Sequence, residues 1–265
     1  MRNILEDAEG AVERGDTGPG KANRDRDKPK FPKRFYENVT TGTGEGGYLV
    51  LLDERPIKTP GRAELLMPSQ PAAELVAGEW AAVSEEINPL QMPVTRLANT
   101  AVDGIAQDTQ AVMEDIVRYA ASDLLCYRAD SPEGLVENQR KHWDPVLDWL
   151  EVHANARFDL AEGIMHVTQP KAAISGFGSI LSKHEDPFRL ASLHTFTTIS
   201  GSALLALALA DGELTADETW NAAHVDEDWN ISQWGEDHEA AERRKQRWID
   251  FEAAYLLLQA LGEPG

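Results

Sequence analysis

The chain has 265 residues, a formal net charge of −20 at pH 7 and 42% hydrophobic residues. That apolar share supports a buried core and excludes a mainly disordered chain. The acidic balance argues against a nucleic-acid footprint and against anionic membrane surfaces, and it suits a basic partner surface or plain solubility.

Residues 1–30 read as a flexible tail, rich in glycine and charge. Its acids, Glu6, Asp7, Glu9, Glu13 and Asp16, oppose an organelle transit peptide, and no secretory apolar region is present. The cytoplasm is therefore the expected location. Residues 31–67 carry β signals. Strands are expected over 35–39 and 48–52, with a flexible hairpin loop across the glycine-rich run 41–47. Turns at 53–56 and at Pro60-Gly61 lead to short extended pieces over 57–59 and 65–67. A meander this small needs a helix over one face.

From Ser69 onward the signals are helical. Ser69 is an N-cap with Pro71 in the first turn; Leu75, Trp80 and Val83 lie along that helix, and Asn88-Pro89 is its stop. A second helix follows Pro93. Asp108 caps a third, with Val112, Ile116 and Ala120 on one face. Ser131-Pro132 reads as a cap followed by Pro at the first helical position. That helix carries Leu135, Gln139 and Trp143, and Asp144-Pro145 either kinks or restarts it before Val146, Trp149 and Leu150. Residues 160–177, with Pro170 and two glycines, read as a loop. Asp186-Pro187 starts a helix through Leu193 and Phe196. Residues 202–209 are apolar all round and belong at the centre of a bundle; they are far too few for a membrane span, which needs roughly 20 apolar residues. Thr215 and Glu218 form a capping box for a helix running past Trp220, Val225 and Trp229 to Trp234, with Gly235 as its C-cap. Asp237 opens the last helix, which turns Trp248, Phe251 and Tyr255 inward.

Little in the chain points to catalysis. The glycine run 42–47 leads into a strand and lacks Gly-Lys-Ser/Thr, so it is not a phosphate loop, which must lead into a helix. The single cysteine, Cys126, fits a reducing compartment, cannot build a disulfide framework, and sits between Leu125 and Tyr127 as a small hydrophobe rather than a nucleophile. The histidines are scattered without metal-ligand spacing. No catalytic, cofactor-binding or metal-binding residues are expected. Two features remain. The chain has seven tryptophans, of which Trp80, Trp143, Trp149, Trp229, Trp234 and Trp248 lie near acidic or polar helix positions. They suit either recognition at a helical rim or packing between helices. Around two of them lies an acidic block, Asp226-Glu227-Asp228, continued by Glu236, Asp237 and Glu239. It is either a solvated helix face or a recognition patch.

Several motifs occur in a fixed order. They are Arg34-Phe35-Tyr36, then Leu52-Asp53-Glu54-Arg55-Pro56-Ile57-Lys58-Thr59-Pro60, Glu79-Trp80, and Pro89-Leu90-Gln91-Met92-Pro93-Val94-Thr95. Asp123-Leu124-Leu125-Cys126-Tyr127-Arg128, Trp143-Asp144-Pro145 and an acidic segment over 226–235 ending in Trp-Gly complete the series. In this order they resemble the ATP-twelve family of ATP synthase assembly chaperones, over residues 31–261. Trp229 and Asn230 stand where Tyr and Gln are expected in that family. The resemblance implies an α+β fold: a small N-terminal β-rich domain followed by a larger all-helical bundle domain. The boundaries are then a tail at 1–30, a β-containing domain with a covering helix at 31–90, and a helical client-binding domain at 91–265. It implies a protein without catalytic activity, cofactor or metal that holds the alpha subunit of F-type ATP synthase until it pairs with beta. Such a chaperone is expected to be monomeric, without membrane insertion. The client-binding residues expected on this basis are Glu227, Asp228, Trp229, Trp234 and Glu236. A general adaptor and an uncharacterised hydrolase are the alternatives; a pull-down enriching one alpha subunit separates them from the chaperone reading.

Overall fold

The computed structural model describes residues 31–163 and 167–262; the tail expected over 1–30 lies outside the described residues. Strands β1 (Val39–Gly44) and β2 (Gly47–Leu52) form an antiparallel hairpin in which Gly44 faces Gly47. The glycine run is therefore strand rather than loop, and the turn is only Glu45-Gly46, with Gly46 at φ +89. The reason is space. A Cβ at Gly47 would stand 2.5 Å from the Met67 carbonyl oxygen, and one at Gly44 2.9 Å from Leu66. The glycines let β4 (Leu66–Met67) close against β2, beside β3 (Arg55–Pro56), which pairs with the other end of β2.

Helix α1 (Gln70–Ala82) covers this sheet. Ser69 caps it as expected, its side chain accepting from Ala72 N, and the Ser69 hydroxyl donates to the Ala260 carbonyl at 2.6 Å. The segment before β1 is laced to the far end of α1. Arg34 donates to the Val83 carbonyl, its backbone N–H bonds Glu85 O at 2.8 Å, and the Tyr36 hydroxyl donates to Trp80 O at 2.6 Å.

The remaining helices are α2 (Pro93–Asp103), α3 (Thr109–Ala120), α4 (Glu133–Ala154), α5 (Lys171–Leu181), α6 (Pro187–Ser200), α7 (Ala203–Ala210), α8 (Ala216–Ala223), α9 (Val225–Trp234) and α10 (His238–Ala260). A two-residue parallel pair, β5 (Tyr127–Arg128) with β6 (Ala161–Glu162), joins two loops. α7 is the bundle centre as expected: Ala203 to Leu209 are all buried, and α3, α4, α6 and α8 surround it. Each fully buried leucine there contributes on the order of 2 kcal/mol. The core runs without a break from the sheet residues Val50 and Met67 through α1 into this bundle.

Three local expectations are corrected and one alternative is decided. α4 is one continuous helix with Pro145 inside it, so the helix does not restart there. Its N-cap is Pro132, so the helix begins one residue later than Ser131-Pro132 suggests. Residues 171–177, expected as loop, are instead the first part of α5, where Gly176 serves contact rather than flexibility: a Cβ there would lie 2.4 Å from the Ala154 carbonyl oxygen. The helix expected from Thr215 through Trp234 is two helices that change direction at His224.

Two motif acids hold the fold. Met92, the N-cap of α2, makes no side-chain cap bond. Glu79 reaches across from α1 instead, accepting from Val94 N and Thr95 N at 2.7 Å each and from the Thr95 hydroxyl at 2.6 Å. Asp123 is fully buried and accepts from Leu125 N at 3.1 Å, Ser202 Oγ at 2.7 Å and Leu204 N at 3.1 Å. It joins the turn over Leu124–Cys126 to the first turn of α7, whose free N–H groups favour an acceptor. Arg128 pairs with Asp144 at 2.7 Å and lies 5.2 Å from the centre of the Trp143 ring.

Candidate functional site

Helix α9 and its short link to α10 carry the expected binding residues, and α8 leads into them. Thr215 and Glu218 make the capping box that starts α8: Glu218 N donates to Thr215 Oγ at 3.2 Å and Thr215 N to Glu218 Oε2 at 2.9 Å. The chain turns at His224, whose ring is buried against Trp220 at 4.2 Å, with Nδ1 2.7 Å from the Trp220 carbonyl oxygen. Burial lowers the His224 pKa, so the ring is neutral at neutral pH. α9 then begins with Asp226, Glu227 and Asp228 in its first turn. Acids at a helix start answer the positive end of the helix dipole, so this block has a local structural reason.

Tertiary contacts then sort the block. Asp226 accepts from Gln139 Nε2 at 2.7 Å; Gln139 is buried in α4 and accepts from Ala129 N at 2.9 Å. Asp228 pairs with Arg244 of α10, whose guanidinium stands 6.0 Å from the centre of the Trp220 ring. That bond to Asp228 is the main reason the Arg244 pKa is raised. Glu227 keeps a long contact, 3.9 Å, to His224 Nε2. Glu236 is exposed and enters no ion pair among the described residues.

The two tryptophans of the set play different parts. The half-buried Trp229 ring lies on Gly134 of α4; a Cβ at 134 would be 2.7 Å from its Cη2. Trp229 thus locks α9 to α4, and a glycine on α4 makes room for it. Trp234, at the end of α9, is 79% exposed, the largest value among the described large apolar side chains. Trp143 is fully buried, and Trp220, Trp248 and Phe251 form one aromatic cluster under α8 and α10.

All five expected residues thus fall within α9 and the short link to α10. Glu227, Trp234 and Glu236 face outward, while Asp228 and Trp229 also secure the frame. Arg244 was missed in the sequence because it lies sixteen residues beyond Asp228, with no local pattern linking the two. Cys126 is buried, and burial first of all pushes its thiol up to about 12. A thiol held protonated is not a nucleophile at neutral pH. Among the described residues no group of three or more His, Cys, Asp or Glu could hold a metal ion, and no helix is long and apolar enough to cross a membrane.

The site is thus an acidic rim with an exposed tryptophan, mounted on packed helices. Comparison with known proteins gives the chain a family. The profile described as ATP12 chaperone protein matches residues 33–151. The Atu1473 protein of Agrobacterium tumefaciens, whose structure is solved, is 50% identical, with a TM-score of 0.85 over 97% of this chain and 96% of that one. Atp12 from Paracoccus denitrificans is 35% identical, with a TM-score of 0.81 over 86% of this chain and 98% of its own. The mitochondrial protein atp12 of Schizosaccharomyces pombe is 23% identical over 84% of this chain and 80% of its own length. The chain belongs to the ATP12 chaperone family. The matched profile ends within α4, so the motif residues that build the sheet, α1, α2 and the Asp123 junction lie inside it and the acidic rim lies beyond it.

Proposed function

We propose that this protein is an assembly chaperone of the F-type ATP synthase that holds the free alpha subunit of the catalytic head until beta displaces it. The observation that carries this reading is the outward-facing Trp234, beside Glu227 and Glu236, on a chain of the ATP12 chaperone family. An unassembled subunit exposes the apolar surface meant for its partner, and such patches aggregate. An aromatic anchor in an acidic rim covers a patch of that kind with modest affinity and sets the orientation of the bound chain. Release follows when the proper partner binds more tightly, with no covalent step and no nucleotide. The protein acts by binding alone, as a monomer in the bacterial cytoplasm; the bacterial origin of the two solved relatives supports that compartment.

The test is charge reversal. A double variant, E227K with E236K, is expected to bind purified alpha subunit about tenfold more weakly, and Trp234→Ala to do the same. Glu236 and Trp234 are exposed, while Glu227 also has a 3.9 Å contact to the buried His224, so circular dichroism and the single variant E236K separate lost binding from a disturbed fold. Unchanged binding by both variants removes the acidic rim from the contact surface.

A further inference from the structure

We propose that a groove on the N-terminal sheet is a second docking site for the client, and that it takes an acidic segment of the client chain carrying an apolar side chain. The inference rests on the chaperone reading above and adds a contact on different elements.

The groove has a volume of about 560 Å³ and is lined by Phe35, Tyr36, Ile57 and Trp80, with Arg55 and Lys58 among the lining residues. That size falls in the range of sites that hold a bound group. Its aromatics touch in series: Phe35 meets Tyr36 edge-on at 5.4 Å, and Tyr36 meets Trp80 at 5.7 Å. They are also fixed. The Tyr36 hydroxyl bonds the Trp80 carbonyl at 2.6 Å, and Arg34 stands 4.6 Å from the centre of the Tyr36 ring on the way to its bonds with α1. Yet Phe35 is 72% exposed. A phenyl ring displayed on a rigid support is a preorganised anchor, because little side-chain freedom is lost when a partner covers it.

Charge says which partner. Arg55 and Lys58 are exposed and join the sheet through their backbones, and neither side chain has an ion pair or hydrogen bond among the described residues. The acid in the lining, Asp53, is already held by the backbone N–H groups of Glu37 and Asn38, at 3.1 and 2.9 Å. The groove therefore offers two unmatched cations on a chain whose net charge is −20. In addition the Trp80 indole N–H is buried and has no acceptor among the described residues. Aromatic walls, free cations and an unmet donor fit an acceptor-rich, acidic peptide segment. With the acidic rim on α9, the molecule would then grip its client at two points of opposite charge. Two linked contacts raise avidity, and their opposite signs allow only one orientation.

The experiment is calorimetric titration of the full chain with purified alpha subunit, comparing wild type with Phe35→Ala and with R55E/K58E. Each variant is expected to bind about tenfold more weakly, and R55E/K58E to show a weaker salt dependence than wild type. All three side chains are exposed, so circular dichroism should be unchanged, and Phe35→Leu should recover most of the affinity. If wild type binds alpha and both groove variants bind equally well, the groove is not a client site and the chaperone reading stands. If wild type does not bind alpha, both readings fall. If the variants change only self-association in sedimentation, the occupant is a second copy. If removing residues 1–30 abolishes the effect of Phe35→Ala, the occupant is that segment. Either of the last two results overturns the proposal.

Discussion

Replacing Asp123 tests whether a motif acid in this chain serves the fold rather than a client. Its carboxylate has no exposure and receives two backbone N–H groups and the Ser202 hydroxyl. Asp123→Ala leaves those donors buried without an acceptor, at about 1–3 kcal/mol for each unsatisfied group. Some will find water or relax, so a net loss of about 3–5 kcal/mol is expected, near the cost of breaking a buried charged contact. That is a large share of the 5–15 kcal/mol typical of a domain. The pH dependence gives a sharper signature. Burial is the largest cause of a shift that raises the Asp123 pKa from 3.8 to about 6, only partly offset by the Ser202 and backbone bonds. The folded state therefore holds this proton more tightly than the unfolded chain does. The resulting stability is complete below about pH 4 and is lost as pH rises through about 6, a total of about 3 kcal/mol. Urea unfolding of wild type and Asp123→Asn at several pH values measures it. Wild type should lose about 1 kcal/mol more than Asp123→Asn between about pH 5 and about pH 7. Parallel pH curves for the two proteins would refute the reasoning.

Other outcomes follow from the same contacts. Glu79→Ala removes the three bonds that cap α2 from outside, and a loss of about 2–4 kcal/mol is expected in denaturant unfolding. Gly134→Ala drives a Cβ to 2.7 Å from the Trp229 ring; despite the better helix propensity of alanine, a net loss of about 1 kcal/mol and a changed Trp229 environment in fluorescence are expected. Cys126, buried and with its thiol pushed up to about 12, should resist a thiol reagent in the native protein and react fully once the chain is unfolded.

What the sequence revealed depended on whether the cause was local. Ser69, Asp108 and Asp237 each cap a helix where expected, because a cap and its N–H lie within three residues of one another. The apolar run on α7 announced its own burial. The ordered motifs carried the family and the α+β class, and the structure shows why they hold together: Arg34, Glu79, Asp123 and Arg128 all tie one element to another. Glycines misled, because the sequence shows only that a glycine is permissive. At Gly47 and Gly176 the reason is a carbonyl oxygen from elsewhere in the chain, at Met67 and Ala154, and no window around either glycine contains it. The acidic block was legible as a block. Its division into Asp226 and Asp228, which hold Gln139 and Arg244, and the freer Glu227 and Glu236 was not, since the partners lie on α4 and α10. Phe35 was visible within its motif but read as part of a strand, whereas its ring stands in solvent beside a groove.

The most direct measurement is light scattering of purified alpha subunit with and without this protein, followed by addition of beta. One equivalent of the chain should keep alpha in solution, and beta should then release the chain without nucleotide hydrolysis. Alpha that aggregates at the same rate in either case, or a complex that beta fails to displace, would contradict the account.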